Sequence, residues 1–237
     1  MKLIPLILSC LLFTFLHSCQ DKQTSKLQTQ NNQKQTNKLK VNAKLFSDLL
    51  EFISYNDDGD YMLINFKKGN DTLTFVNENN EDRSLLRGDM AQVQWIKDTI
   101  YIAGDGETPE IADWLVGFKK TKDGNLSKFK KTYKKEIKYH WFNENEYSQD
   151  YLDALYVLVE YYIANSKNEL LKIHLKENSA LEYSIEQQER DGKKFTVLGL
   201  GTSFEGRMTK IQWLYYEAEK NLLYEYDLGN DRLMLFK

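Results

Sequence analysis

Both cysteines of this chain, Cys10 and Cys19, fall within its first nineteen residues, and none follows through residue 237. Beyond that point a disulfide framework, a cysteine-ligated zinc and a cysteine nucleophile are all excluded. Whatever folds there is held by an apolar core. The material for a core is present, since 41% of residues are hydrophobic and 28% charged, a balance that rules out wholesale disorder. Only one run is apolar enough to meet a bilayer, and it lies at the N-terminus, which excludes a multi-spanning channel or transporter.

That run, Leu3 to Leu16, follows Met1-Lys2 and closes with Leu16-His17-Ser18-Cys19. At a helical rise it covers about 21 Å, short of a hydrocarbon core of about 30 Å, so it reads as a cleaved export signal. Leu16, Ser18 and Cys19 resemble the lipobox of the bacterial lipoprotein family, with His17 standing where a small residue is usual. The resemblance covers residues 1–19 only. It implies removal of residues 1–18 as a signal peptide and acylation of Cys19 as lipid attachment site, with two or three fatty chains where one would hold only marginally. It also implies residence in the cell envelope, on the outer membrane rather than the inner, with the body periplasmic or surface-exposed.

From Gln20 to Asn42 the composition turns to Gln, Asn, Thr, Ser and Lys. This cannot bury enough apolar area to fold, and residues 19–42 are expected to be a lipidated start and flexible tether with a reach of roughly 25 Å. The rest, residues 43–237, carries 26 Lys and Arg against 34 Asp and Glu, a charge of 26 − 34 = −8. An acidic body argues against a nucleic-acid groove. Lys119 to Lys138 is the local exception, with nine lysines facing only Asp123 and Glu136. The alternation through Lys128-Phe129-Lys130 and Ile137-Lys138-Tyr139 predicts solvated strand faces.

Leu45, Phe46, Leu49, Leu50 and Ile53 recur at helical spacing and predict a helix over 43–54. Tyr61–Phe66 and Thr72–Val76 flank Lys68-Gly69-Asn70-Asp71 as a hairpin, and Met90–Ile102 reads as two strands around Lys97-Asp98. Thr108-Pro109-Glu110 reads as a helix start, Trp114–Phe118 as a strand, and Asp123-Gly124 as a hairpin turn. After Ser148 a wide stripe of Tyr151, Leu152, Leu155, Leu158, Val159, Tyr162 and Ile163 predicts the strongest helix. Strands are expected at 170–175, 181–187, 195–200, 209–217, 222–226 and 233–236. Gly88–Ile96 also echoes Gly206–Leu214. The fold class is therefore α+β, antiparallel sheets each packed by a helix. It is either two duplicated helix-plus-meander units, 43–135 and 136–237, or a single domain over 43–237.

Chemistry-bearing motifs are sparse. His140 and His174 stand apart, with no HExxH pattern. Gly199-Leu200-Gly201 followed by Gly206 misses both the dinucleotide and the P-loop spacing, and Ser203 lacks the glycines of a nucleophile elbow. Asp57, Asp58 and Asp60 around Gly59 read as a polar turn. Asp105, Glu107, Glu110 and Asp113 read as an acidic loop entering a helix. No catalytic, metal-binding or cofactor-binding residue and no cofactor is assigned. Alternation on 211–217 puts Ile211, Trp213, Tyr215 and Glu217 on one face, with Tyr224 and Tyr226 on the next strand. Trp213, Tyr215, Tyr224 and Tyr226 are thus candidate partner-binding residues if exposed, and core if not. The expected function is a non-catalytic, membrane-held interaction domain for an unknown protein or glycan, such as immunity-type toxin capture. A carboxylate-dependent hydrolase and a structural envelope-assembly factor stand as alternatives.

Overall fold

A computed structural model describes residues 44–101, 108–141 and 147–236. The first element is a strand, β1 (Phe46–Asn56), not the predicted helix. Leu50 and Phe52, two apart, are buried, while Leu45 and Leu49 are exposed. The period is therefore two, and the helical spacing of the leucines is incidental. β2 (Leu63–Lys68) and β3 (Asp71–Val76) form the expected hairpin, turning at Gly69 with φ +63°. β4 (Met90–Tyr101) is one continuous strand running through Lys97-Asp98. The segment opening at Thr108-Pro109 is a strand as well, β5 (Pro109–Lys122), because its residues complete a long ladder with β4.

These five strands close into a barrel in the order β1-β2-β3-β5-β4, with β4 returning to β1. β3 and β5 meet in parallel at Val76 and Trp114, which gives the connectivity of an OB-type Greek-key barrel. A bulge between Phe52 and Ser54 lets β1 bend, pairing first with β4 and then with β2, with Glu51 facing both. Leu50, Phe52, Ile64, Phe66, Phe75, Ala91, Val93 and Leu115 fill the interior, and Leu85 plugs it from the β3–β4 connection.

Asp123-Gly124 does not turn a hairpin. It leads into α1 (Asn125–Thr132), and Lys128-Phe129-Lys130 is helical, burying Leu126, Ser127 and Phe129. Then follow β6 (Lys138–Trp141), α2 (Gln149–Asn165) and α3 (Glu169–Lys176). The last spans residues expected as a strand. Ser148 caps α2 by accepting the Tyr151 N–H, and Asn168 caps α3 by accepting that of Leu171. β7 (Glu182–Arg190), β8 (Lys193–Phe204), β9 (Arg207–Glu217), β10 (Leu222–Asp227) and β11 (Arg232–Leu235) run as an antiparallel meander. They form a six-stranded sheet, β11-β10-β9-β8-β7-β6, with β6 parallel to β7 across the α2–α3 crossover.

The helices bury Leu152, Leu155, Val159, Tyr162, Ile163 and Leu171 against Tyr183, Ile185, Leu198, Leu200, Leu214 and Leu223 of one sheet face. The chain is thus mixed α+β. Among the described residues one half is a barrel and the other a helix-backed sheet, so duplicated units are not seen, and the echo between 88–96 and 206–214 falls on two strands, β4 and β9, with the turns before them. Among the described residues, no helix is long and apolar enough to cross a membrane.

Candidate functional site

Side-chain alternation leaves the six-stranded sheet with a second face, opposite the helices. On its β8–β11 half, Phe195, Val197 and Tyr215 are buried under Trp213, Tyr224, Tyr226 and Leu233. Phe195 meets Tyr215 edge-on at 5.6 Å and Tyr224 at 6.2 Å, while Tyr215 lies 5.5 Å from Tyr226. Each phenol is tethered: Tyr215 donates to Gln188 at 3.0 Å, Tyr224 to Glu217 at 3.1 Å and Tyr226 to Asp231 at 2.7 Å. Burial, joined by the Glu217 bond, pushes the Tyr224 phenol above its ordinary range. The Arg190 guanidinium sits over the Tyr226 ring at 5.4 Å.

The four aromatic candidates therefore do converge, but they divide. Tyr215 is core, 6% exposed, whereas Trp213, Tyr224 and Tyr226 are half-buried and present part of their rings to solvent. Ile211 departs from the expected face. Leu200 pairs with Gln212 and Gly201 with Lys210, so Ile211 is bulged out of register and packs toward the helix-side core. The bulge instead brings Lys210 onto the aromatic side.

Pairing between β9 and β10 stops at Leu214 and Glu225, and the strands part beyond it. The Gln212 amide bridges the gap, donating to the carbonyls of Trp213 at 3.0 Å and Tyr226 at 2.9 Å. A depression of about 490 Å³ opens there, lined by Lys210, Gln212, Trp213, Tyr226, Asp227 and Leu228 among others. Residues of both sheet faces meet in it, Trp213 and Tyr226 from the aromatic side and Gln212, Glu225 and Met234 from the helix side, so it offers apolar, cationic, anionic and amide groups together.

Next to the rings lies a polar corner that the sequence pattern did not reveal. His140, Ser184, Gly199 and Trp213 occupy one cross-strand row over β6, β7, β8 and β9. His140 is exposed, and its Nε2 lies 3.0 Å from Glu182 Oε2. Ser184 Oγ takes a hydrogen bond from Lys210 and donates to Glu186 Oε1 at 3.2 Å. Burial pushes the Lys210 ammonium below its ordinary range, with Glu186 and Glu182 acting at longer range in the opposite sense. Ser184, Glu182, Glu186 and Lys210 belong to no motif. The only hint was Gly199-x-Gly201 in an otherwise apolar strand, a mark of close approach by a neighbouring chain element.

The remaining candidates lie elsewhere. His174 is on α3, its Nδ1 3.3 Å from Ser179 Oγ. Asp57 pairs with Arg83 at 3.2 Å, and Asp58 and Asp60 are exposed beside it. Glu110 and Asp113 sit on β5, Asp113 paired with Lys97 at 3.0 Å, while Asp105 and Glu107 lie outside the described residues, as does Cys19. Ser203 is exposed near the β8–β9 turn. Within the lysine run, Lys120 and Lys130 turn to Asp89 and Glu160.

No protein-family model matches the chain, and no curated protein does. Among solved structures it is similar to an aspartyl tRNA synthetase from Entamoeba histolytica at 9% identity and a TM-score of 0.25, covering 70% of this chain and 48% of that one. The chain spans about half the length of that protein. At that TM-score the likeness carries neither fold nor function across.

Proposed function

We propose that this is an envelope lipoprotein, anchored through Cys19 and spaced from the membrane by residues 20–42, whose body is a non-catalytic glycan-binding module. One observation carries the reading: half-buried Trp213 and Tyr226 both border the 490 Å³ depression, whose lining also includes Lys210, Gln212 and Asp227. A sugar ring has an apolar C–H face that suits the negative face of an aromatic ring, and hydroxyls that suit amide, carboxylate and ammonium partners. Tyr226 is already held by its bond to Asp231 and its contact with Tyr215, and Trp213 packs on the Phe195, Val197 and Tyr215 cluster, so little ordering cost falls on binding. The net charge of −8 over residues 43–237 stands against a nucleic-acid ligand.

The test is a glycan array probed with the Cys19→Ala protein. Wild-type surface residues should retain at least one polysaccharide class, and Trp213→Ala should weaken that binding about tenfold or more, while Trp95→Ala in the barrel leaves it intact. Silence across the array would end the glycan reading. The same charge of −8 favours a second reading, capture of a basic protein such as an incoming toxin. Array silence together with salt-sensitive capture of a basic protein by the acidic body would select it.

A further inference from the structure

Lys210 differs from Lys120, which is also half-buried. Lys120 holds Asp89 at 2.7 Å and Asp123 at 2.8 Å, whereas Lys210 Nζ contacts only neutral acceptors. These are Ser184 Oγ, the Gly199 carbonyl at 3.1 Å and the Met208 thioether at 3.1 Å. An ammonium has three donors, and the thioether is a weak acceptor for one of them. A half-buried cation whose carboxylates, Glu186 and Glu182, act only at longer range is incompletely compensated, a deficit that an anion in direct contact would make up.

The fold makes a place for this side chain. A Cβ at Gly199 would lie 2.6 Å from Lys210 Nζ and 2.8 Å from Ser184 Oγ, so only glycine lets the lysine cross β8. A Cβ at Gly201 would overlap the Thr209 carbonyl. The result is a bare trough between Ser184 on β7 and Trp213 on β9, with the ammonium lying in it, and Lys210 and Trp213 also border the neighbouring depression. Glu182 and Glu186 lie on the far, β7 side of the trough, and each has a donor of its own, His140 and Ser184. An anion entering from the Trp213 side meets the cation before it meets either carboxylate.

We propose that Lys210 is the specificity-determining residue of this site and that the depression takes a sugar bearing a carboxylate, its ring face on Trp213 and its carboxylate on Lys210 Nζ in place of the Met208 thioether. This rests on the glycan reading above. The probes are trigalacturonic acid and its carboxyl-reduced, neutral counterpart, titrated calorimetrically into the Cys19→Ala protein. The acidic sugar should bind about tenfold more tightly at low ionic strength, a difference of about 1.4 kcal/mol. That preference should shrink as salt is raised.

Lys210→Met should erase the preference, so that the two sugars bind that variant with equal affinity. Gly199→Ala, which keeps the charge but fills its place, should reduce the preference. Trp213→Ala should weaken both sugars alike. Equal binding of the two sugars by the wild-type surface, an undiminished preference in Lys210→Met, or binding of neither sugar would overturn the proposal. If neither sugar binds while an array glycan does, the glycan reading survives and the acidic-sugar assignment falls. The wild-type preference and its salt dependence decide the matter even if a variant fails to fold.

Discussion

Asp89 Oδ1 accepts the backbone N–H of Gly124 at 2.7 Å, joining the start of β4 to the exit of β5 across 35 positions of sequence. The Asp89 carboxylate is fully buried, and its other oxygen takes the Leu86 N–H at 2.9 Å and Lys120 Nζ at 2.7 Å. Gly88 and Gly124 pack backbone to backbone at the same point. The barrel is thus fastened where the chain leaves it for α1. Replacing Asp89 with Ala leaves the Leu86 and Gly124 amides without their acceptor and Lys120 with Asp123 and Ser127 alone, and is expected to cost about 2–4 kcal/mol in urea unfolding.

The pH dependence follows from the same group. Burial alone would push the Asp89 carboxyl up, but hydrogen bonds from Lys120, Ser127, Leu86 and Gly124 outweigh it and hold the group below its ordinary value. A depressed carboxyl stabilises the fold fully above its unfolded pKa of about 3.9, and that stabilisation is lost as pH falls through the lower folded value. The stability gap between the wild-type chain and Asp89→Asn should therefore be constant near neutrality and narrow below about pH 4. A gap that widens on acidification would contradict the assignment.

Gly124→Ala places a methyl group onto the Gly88 carbonyl, where backbone and not a flexible side chain must move. A loss of about 3 kcal/mol is expected, at the upper end for overpacking. Thermal melts of Gly124→Ala and Gly117→Ala make the comparison, since a Cβ at Gly117 meets nothing within 4 Å.

Two positions on α2 separate its faces. Leu155 is fully buried against the sheet, and Leu155→Ala should cost about 2–5 kcal/mol. Val157 is 51% exposed, and Val157→Ala should fall within about 0.5 kcal/mol of wild type. Similar losses at both would place the helix differently from the structure.

Glu205 and Gly206 turn the β8–β9 hairpin with φ +48° and +76°. Positive φ at both central positions favours Asn-Gly, and glutamate has no local hydrogen bond to relieve the strain. Glu205→Asn should therefore raise stability by about 0.5–1 kcal/mol, read as a higher urea midpoint at unchanged slope.

The proposed anchor makes its own prediction. Intact mass of membrane-extracted protein should correspond to a chain beginning at Cys19 with two or three acyl groups, and Cys19→Ala should appear in the soluble fraction. A Met1 start or a bare thiol on residue 19 would remove the lipoprotein assignment.

Strands and helices whose periodicity was strong and whose ends carried turn or cap residues were legible in the chain. The α2 stripe behind Ser148, the hairpin at Gly69 and the meander from Glu182 onward are the cases in point. Three short segments misled for one reason. Leu45–Ile53, Lys128-Phe129-Lys130 and Leu170–Leu175 hold too few apolar residues for spacing to separate a period of two from one of 3.6. Barrel closure decided the first, burial of Leu126 and Phe129 in the helix-side core the second, and the Asn168 cap with buried Leu171 the third.

The site divides in the same way. The aromatic alternation on 213–226 is a property of consecutive residues, so the sequence itself put Trp213 and Tyr215 on one face and Tyr224 and Tyr226 on another strand. Whether those faces coincide depends on strand register, and whether a ring is core or displayed depends on what packs over it. Those are long-range facts: β9 had to pair with both β8 and β10, part from β10 beyond Leu214, and bulge at Ile211 before Tyr215 met Tyr226 and Lys210 met Ser184. Local pattern determined which side chains could share a face. Only the pairing of distant strands, each bond of which closes a loop against chain entropy, decided which of them touch.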